Sequence, residues 1–329
     1  MSPRQLSAGN VSARPNALHC LGATLHPKTS SANQALQQGK LSDWNLRKVP
    51  LHVEVGPQKL VVPDRFAVIR DSPMIRGMVE VMGDVGKSYT IIQNEDLEDL
   101  LDTLKDEFGA RFDAAGEIDG GRRAFVTLKL PGVAKIGGAD VVDNYITVIN
   151  SHDGNTSAVL MITPVRVSDS GTLNISFKKA SHVFKIRHSV GAHKLIAQQA
   201  REAMEFTFSY LDAFQEEADR LISTTLTQAR FEELITRNFG APKGAPAPTV
   251  TRTQNKLDQM AELFSDSYSL AGVGETAWAG LNALTEWHDF YSPVRGVGAG
   301  GEAAVRSRKA LLDSDFKNQA MKIMMAHAN

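Results

Sequence analysis

Residues 143–188 constrain this chain more than any other stretch. Residues 143–151 (DNYITVINS) are β-branched and aromatic, residues 156–167 (TSAVLMITPVRV) form a longer apolar run, and His152-Asp153-Gly154-Asn155 between them has the composition of a hairpin turn. A third short strand is predicted over 172–177, after the polar turn 168–171. Then come Lys178, Lys179, Lys185, Arg187, Lys194 and Arg201 with no acid among them, interleaved with Phe177, Phe184 and three histidines. A sheet therefore delivers a cationic, aromatic-bearing segment into a helix. The stripe Ile196, Ala200, Ala203, Met204, Phe208, Leu211, Phe214, Ala218 and Ile222 predicts that helix over about 190–226.

Upstream, residues 1–42 are rich in Ser, Ala, Asn and Gln with little periodicity and are expected to be a flexible arm. Short strands are predicted over 45–55, 59–62, 65–70, 77–82 and 88–92, with a turn at 83–86. Leu97, Leu100, Leu101, Leu104 and Phe108 recur at helical spacing, with acids in the first turn and Gly109 after the last, so 94–108 is the clearest helix. Residues 111–117 and 122–130 flank Asp119-Gly120-Gly121 as a second hairpin. Strands, one helix and more hairpins in this order define an α+β fold: an antiparallel sheet with long β-hairpins packed by two or more helices, over 43–239. Residues 240–252, beginning GAPKGAPAP, are expected to be a Pro/Ala/Gly linker. A C-terminal helical region follows over 253–329, with helices predicted at 254–265, 275–291 and 306–327 and a flexible loop at 296–301.

Composition excludes several classes. In 329 residues, 42% hydrophobic, there is material for a full core but no run of roughly 20 apolar residues to span a membrane, and no signal-peptide pattern at the start. The cytoplasm is the expected compartment. A single cysteine, Cys20, excludes an internal disulfide and a Cys-based zinc site. A net charge of −1 excludes a uniformly basic nucleic-acid binder, yet the cations of 178–201 are followed over 202–233 by a mainly acidic stretch. Such a local patch can still hold a polyanion.

The nucleotide-binding motifs fail on spacing. Gly86-Lys87-Ser88 lacks the glycine five residues earlier, where Val81 stands, and a strand follows it instead of a helix. The glycines of 296–301 have no βαβ unit around them. Ser151-His152-Asp153 are neighbours and cannot converge as a catalytic relay. His152 and Asp153 are weak metal candidates, since turn chemistry explains the segment. Trp278, Leu281, Leu284, Trp287 and Tyr291 form one helix face suited to a core or a subunit contact. Cations beside aromatics without acids are what a single-stranded nucleic-acid groove uses for phosphate neutralisation and base stacking. The candidate nucleic-acid-binding set is Lys178, Lys179, Phe184, Lys185, Arg187, His188, Lys194 and Arg201, joined by Arg122, Arg123 and Arg166 if their strands share a face. A solvated helix start with Phe177 and Phe184 buried is the alternative.

Several segments resemble the phage/plasmid-like domain-of-unknown-function family nine-three-two: 83–96 (GDVGKSYTIIQNED), 115–131 (AGEIDGGRRAFVTLKLP), 145–167 (YITVINSHDGNTSAVLMITPVRV), 186–188 and 276–295 (TAWAGLNALTEWHDFYSPVR). The most specific part is the Asn150-to-Gly154 turn followed by Thr163-Pro164-Val165-Arg166-Val167. The chain departs from the family where Leu18-His19-Cys20-Leu21-Gly22 replaces Trp-His-Gly-Leu-Gly, and where Ser168 and Gly171-Thr172-Leu173 replace a cysteine and Asn-Thr-Leu. The loss of that cysteine removes the case for a thiol nucleophile. The resemblance implies a phage or plasmid setting in a bacterial host, and in outline the chain is similar to phage single-strand annealing recombinases. The leading expectation is thus a single-stranded DNA binding and annealing protein acting in recombination, without required cofactor or membrane. It would be a homo-oligomer, in ring form by that analogy, with a phage exonuclease or host single-strand binding protein as partner. A metal-dependent nuclease or phosphate-processing enzyme, using a divalent cation at His152, Asp153 and Asp143 or Glu117, is the first alternative. A structural or host-interaction protein is the second.

Overall fold

A computed structural model describes residues 19, 22–155, 158–168, 171–176, 181–186, 193–266, 270, 272–294 and 302–329; of 193–197 and 303–304 the backbone alone is described. The expected α+β architecture is present. Strands β1 (Ala23–Thr24), β5 (Arg111–Ile118), β6 (Arg123–Lys129), β8 (Asp140–Ser151), β9 (Val159–Arg166) and β10 (Val183–Lys185) lie side by side in that order. Strand β7 (Ala134–Ile136) pairs with β8 and completes a seven-stranded antiparallel sheet. Strands β2 (Arg47–Val55), β3 (Gln58–Asp71) and β4 (Val79–Gly86) form a separate three-stranded sheet.

Alternation along the strands of the large sheet decides what covers each face. Val126, Leu128, Ile146, Val148, Leu160 and Ile162 point to one side and pack with α2 (Glu98–Phe108) through Leu100, Leu101 and Leu104, and with α3 (His193–Ile222) through Ala200, Ala203 and Phe214. Phe125, Tyr145, Ile149, Met161 and Val165 point to the other side and form a smaller cluster with Leu311. Helix α2 is entered through a 3-10 turn at Glu95–Leu97 and ends at Gly109, whose φ of 61° is the left-handed stop that glycine accepts readily.

The remaining helices are α1 (Ala32–Gln38), α4 (Gln228–Phe239), α5 (Ala247–Asp266), α6 (Ala277–Glu286), which runs on into a π-helical turn at Trp287–Tyr291, α7 (Glu302–Leu312) and α8 (Asp315–Ala328). Several expectations are corrected here. Ala32, Ala35, Leu36 and Leu41 are buried, so the core reaches well into the segment read as an arm. Helix α5 begins inside the stretch read as a linker, because Pro248 sits in the first turn, where its missing N–H costs nothing. The turn read at 83–86 belongs to β4, which pairs with β3 through Gly86; a Cβ on Gly83 would come 2.7 Å from the backbone of Asp153, so only glycine lets the sheets meet. No strand forms over 88–92. The single C-terminal helix is two, broken at Asp313-Ser314, and the loop at 296–301 lies outside the described residues.

The predicted third strand, 172–177, is replaced by β10. Residues 172–176 are instead held by the C-terminal helices. Lys317, fully buried, has within bonding distance the carbonyl oxygens of Thr172 (2.9 Å) and Ala310 (2.9 Å), Asn174 Oδ1 (3.0 Å), the Thr172 hydroxyl and the carboxylate of Asp289 (2.9 Å). Asp289 in turn accepts from Thr172 N (3.1 Å) and pairs with His288 Nδ1 (3.0 Å). Asn174 Nδ2 donates to Leu311 O, and Ser176 N to Asn318 Oδ1. A second buried knot joins Arg166 to Asp140 (2.8 Å), whose Oδ2 also accepts from Trp278 Nε1 at 2.7 Å. The Trp278 face of α6 is therefore spent on this chain's own core: every residue of α6 is buried. Of the two uses expected for that face, core and subunit contact, it serves the core.

Removing one member of a buried, fully bonded ion pair leaves an uncompensated charge and costs roughly 3–5 kcal/mol. Lys317→Met is therefore expected to lower unfolding free energy by about that amount in denaturant titration; a loss under about 1 kcal/mol would mean the pair is solvated.

Candidate nucleic-acid interface

Two turns and the end of β10 meet at one end of the seven-stranded sheet. The β5–β6 turn carries Arg122 and Arg123, the β8–β9 turn carries His152 to Asn155, and β10 ends there at Lys185. His152 N donates to Arg122 O (2.8 Å) and Ile186 N to Ala158 O (2.9 Å), which ties the three together. Register sets the side-chain positions. Lys185 opposes Val159, Val159 opposes Ile149 and Ile149 opposes Phe125, so these share a row and a face. Arg123 opposes Ser151 two residues along on the same face. Three strand spacings of roughly 4.8 Å put Lys185 and Arg123 about 15 Å apart.

The cations here differ in availability. Arg122, Lys185 and Arg201 are exposed and have no ion-pair partner among the described residues. Arg123 is half-buried and stands 3.6 Å from Asp119, which Arg308 also approaches at 2.7 Å, so part of its charge is neutralised. Arg166 does not belong to the set. It is 1% exposed and committed to Asp140, because β9 turns it to the helix-covered face. Phe184 is half-buried against Phe206 of α3, with ring centroids 5.4 Å apart, which is packing and not a free stacking platform. Lys178, Lys179, Arg187 and His188 lie outside the described residues, and Lys194 is described as backbone in the first turn of α3.

His152 is a structural residue. It is buried, its Nε2 lies 3.1 Å from Asn94 Oδ1, and its ring meets Trp44 edge-on at 5.5 Å. Asn94 is itself bonded by Asn150 Nδ2 and gives its own amide to Leu41 O. Trp44 stacks under Arg70, whose guanidinium sits 4.0 Å from the ring and pairs with Glu80 and Glu117 at 2.6 Å each. Burial, reinforced by the nearby Arg70 charge, pushes the imidazole down to about 4 and keeps it neutral. Burial opposes ionisation of Asp153, but bonds from Asn155 N and Ser151 Oγ, both 2.9 Å, with the Arg123 charge, hold its carboxyl below the ordinary value.

The nuclease set is not brought together. Glu117 is occupied by Arg70, and Asp143 pairs with Lys129 (2.5 Å) eight residues down β8, roughly 26 Å away at 3.3 Å per residue. Among the described residues no three His, Cys, Asp or Glu side chains are grouped to hold a metal ion.

Sequence reasoning missed a second cationic concavity, a groove of about 360 Å³ between α4 and α8 lined by Arg230, Arg237, Lys322 and His327 over Leu234 and Ile323. These residues are spread over separate helices, and no spacing signal joins them. Arg230 is paired with Glu233 (2.6 Å), His327 lies 3.0 Å from Thr225 O, and Arg237 and His327 stand in last helical turns, where they offset the helix dipoles.

Fold and site together define an α+β protein with a cation-bearing sheet end and two buried charge knots. The chain belongs to the family described as Domain of unknown function (DUF932), whose model matches residues 81–312. No curated protein and no solved structure matches it. No helix among the described residues is long and apolar enough to cross a membrane.

His182, which is also buried, bonded to Ser176 Oγ (2.7 Å) and set near Lys317, is likewise pushed down to about 4. Because both imidazoles bind protons less readily folded than unfolded, the unfolded chain takes up more protons between pH 6.5 and 4. Stability is therefore present above pH 6.5 and lost as pH falls through that window, by up to roughly 3 kcal/mol per histidine. Denaturant titrations at pH 7, 6 and 5 should show this slope, and it should shrink in His152→Gln. A slope unchanged by that substitution would contradict a buried neutral His152.

Proposed function

We propose that this protein binds and anneals single-stranded DNA, holding the phosphate backbone at the turn end of the seven-stranded sheet and along residues 178–201. The observation that carries the reading is that Arg122 and Lys185, at the end of the sheet where Arg123 also stands, are exposed and have no ion-pair partner among the described residues, Lys185 being one of six cations in a stretch of sequence without an acid. Phosphate neutralisation needs cations free of protein carboxylates, and among the described residues neither has an ion-pair partner. Annealing requires neutralised backbones and accessible bases, not bond-making chemistry. The setting implied is a phage or plasmid function in the cytoplasm of a bacterial host.

The test is the salt dependence of binding to labelled oligonucleotides. Affinity for single strands should fall by about 0.7 logarithmic units per decade of salt for each phosphate neutralised. Arg122→Glu with Lys185→Glu should weaken binding to every sequence alike, flatten that slope and slow the annealing of complementary strands, since backbone contacts carry no base information. If the doubly reversed protein binds single-stranded DNA as tightly as the parent at low salt, the reading fails.

A further inference from the structure

The three-stranded sheet has two unlike faces. Its inner face packs on the core through Val68, Met82 and Val85 and carries Arg70 onto Trp44. Antiparallel sheets with one packed face ordinarily present a polar second face to water. Here the second face is apolar. Val49 opposes Ala67, and Ile69 opposes Val81, so these share that face, and Val79 is two residues from Val81. Alternation along β2 continues the stripe through Leu51 and Val53 to Val55, and Leu60 lies opposite Val53. Val55, Val79 and Val81 are 61%, 52% and 65% exposed. Met74, Ile75 and Met78 extend the apolar surface around the β3–β4 turn and are exposed as well.

Two ion pairs also lie on this face: Arg47 opposes Ile69, Asp84 opposes Ala67, and Arg65 is two residues from Ala67 on the central strand. Arg47 pairs with Asp71 and Arg65 with Asp84, so these four charges are neutralised inside the chain. The hairpin beyond Leu51 is a two-stranded ribbon, since β4 pairs β3 only from Arg65 to Asp71. Such a ribbon is marginal in water unless something covers its apolar face.

We propose that the second face of the three-stranded sheet is a self-association surface covered by the same face of a second copy. The eight exposed side chains Val53, Val55, Leu60, Met74, Ile75, Met78, Val79 and Val81 offer on the order of 600 Å² of apolar area, close to the roughly 800 Å² per partner of a stable interface. A two-fold axis brings identical surfaces together, which favours a patch whose charges are balanced; the closed Arg47–Asp71 and Arg65–Asp84 pairs cancel four of them, leaving Arg76 of the β3–β4 turn exposed. Two such sheets pack face to face about 10 Å apart, valine stripe on valine stripe. The surface is separate from the sheet end that carries Arg122 and Lys185, so association leaves that end open.

Sedimentation equilibrium of the full chain tests this, with Val81→Lys at the sheet edge and Val55→Lys at the hairpin tip. Both side chains are exposed, and Val55 is far from the packed core, so the folded monomer should keep its melting temperature. The parent should sediment at twice the 35.8 kDa chain mass or at a multiple of that. Each substitution should raise the dissociation constant of this contact at least ~100-fold, because the two-fold axis sets two ammonium groups in one apolar interface. A parent that is monomeric at about 100 μM, or an assembly of any size that both substitutions leave unchanged, overturns the proposal.

Discussion

The ammonium of Lys317 is the interaction on which the C-terminal third of the fold depends. A fully buried lysine is tolerable only when its charge is met by an opposite charge and its protons by acceptors. Asp289 supplies the charge, while Thr172, Asn174 and the Ala310 carbonyl supply the remaining acceptors. Burial opposes ionisation of Asp289, yet Lys317 together with His288 holds its carboxyl below the ordinary value, while burial draws the Lys317 ammonium down and the Asp289 charge resists that shift. Because those partners come from residues 172–174, the π-helical turn after α6, α7 and α8, the knot forms only when all four are in place. The π-helical turn offers a reason for its own irregularity: it brings His288 and Asp289 into the buried layer instead of one of them.

A second constraint joins the two sheets. Trp44 is held between the Arg70 guanidinium and the His152 ring, with Asn94 and Asn150 closing the polar layer beneath. Arg70 crosses to Glu117 of the large sheet, and Gly83 lets the small sheet lie against the backbone of Asp153. His152 and Asp153 of the β8–β9 turn are therefore held by both sheets. That positions the sheet end where Arg122, Arg123 and Lys185 stand, and links packing to the proposed backbone contacts.

Periodic features were legible from residues alone. The α2 stripe, the 111–130 hairpin and the hairpin read at 143–167 follow from spacing and turn chemistry, because each is decided within a dozen neighbours, though β8 begins three residues earlier, at Asp140. What escaped reading was decided at long range. Arg166 has the sequence look of a surface cation until Asp140 and Trp278 are placed beside it, and Lys317 reads as one more exposed helix lysine. Residues 172–177 have strand composition, but Thr172 and Asn174 are claimed by Lys317 and Leu311, so β10 takes the sheet edge. Glycines at 83 and 86 suggested a turn because a close approach between sheets leaves no periodic trace. The apolar second face of the small sheet was visible as alternating valines in β2, though not that nothing in the described chain covers them.

The central claim is that nucleic acid is held at the turn end of the large sheet. Hydrogen–deuterium exchange of the full chain, with and without a saturating single-stranded oligonucleotide, tests it most directly. The account predicts slowed exchange at 119–123 and 181–186 with little change in α4 and α8. Protection centred on the Arg230, Arg237 and Lys322 groove, with the turn end unaffected, would contradict it.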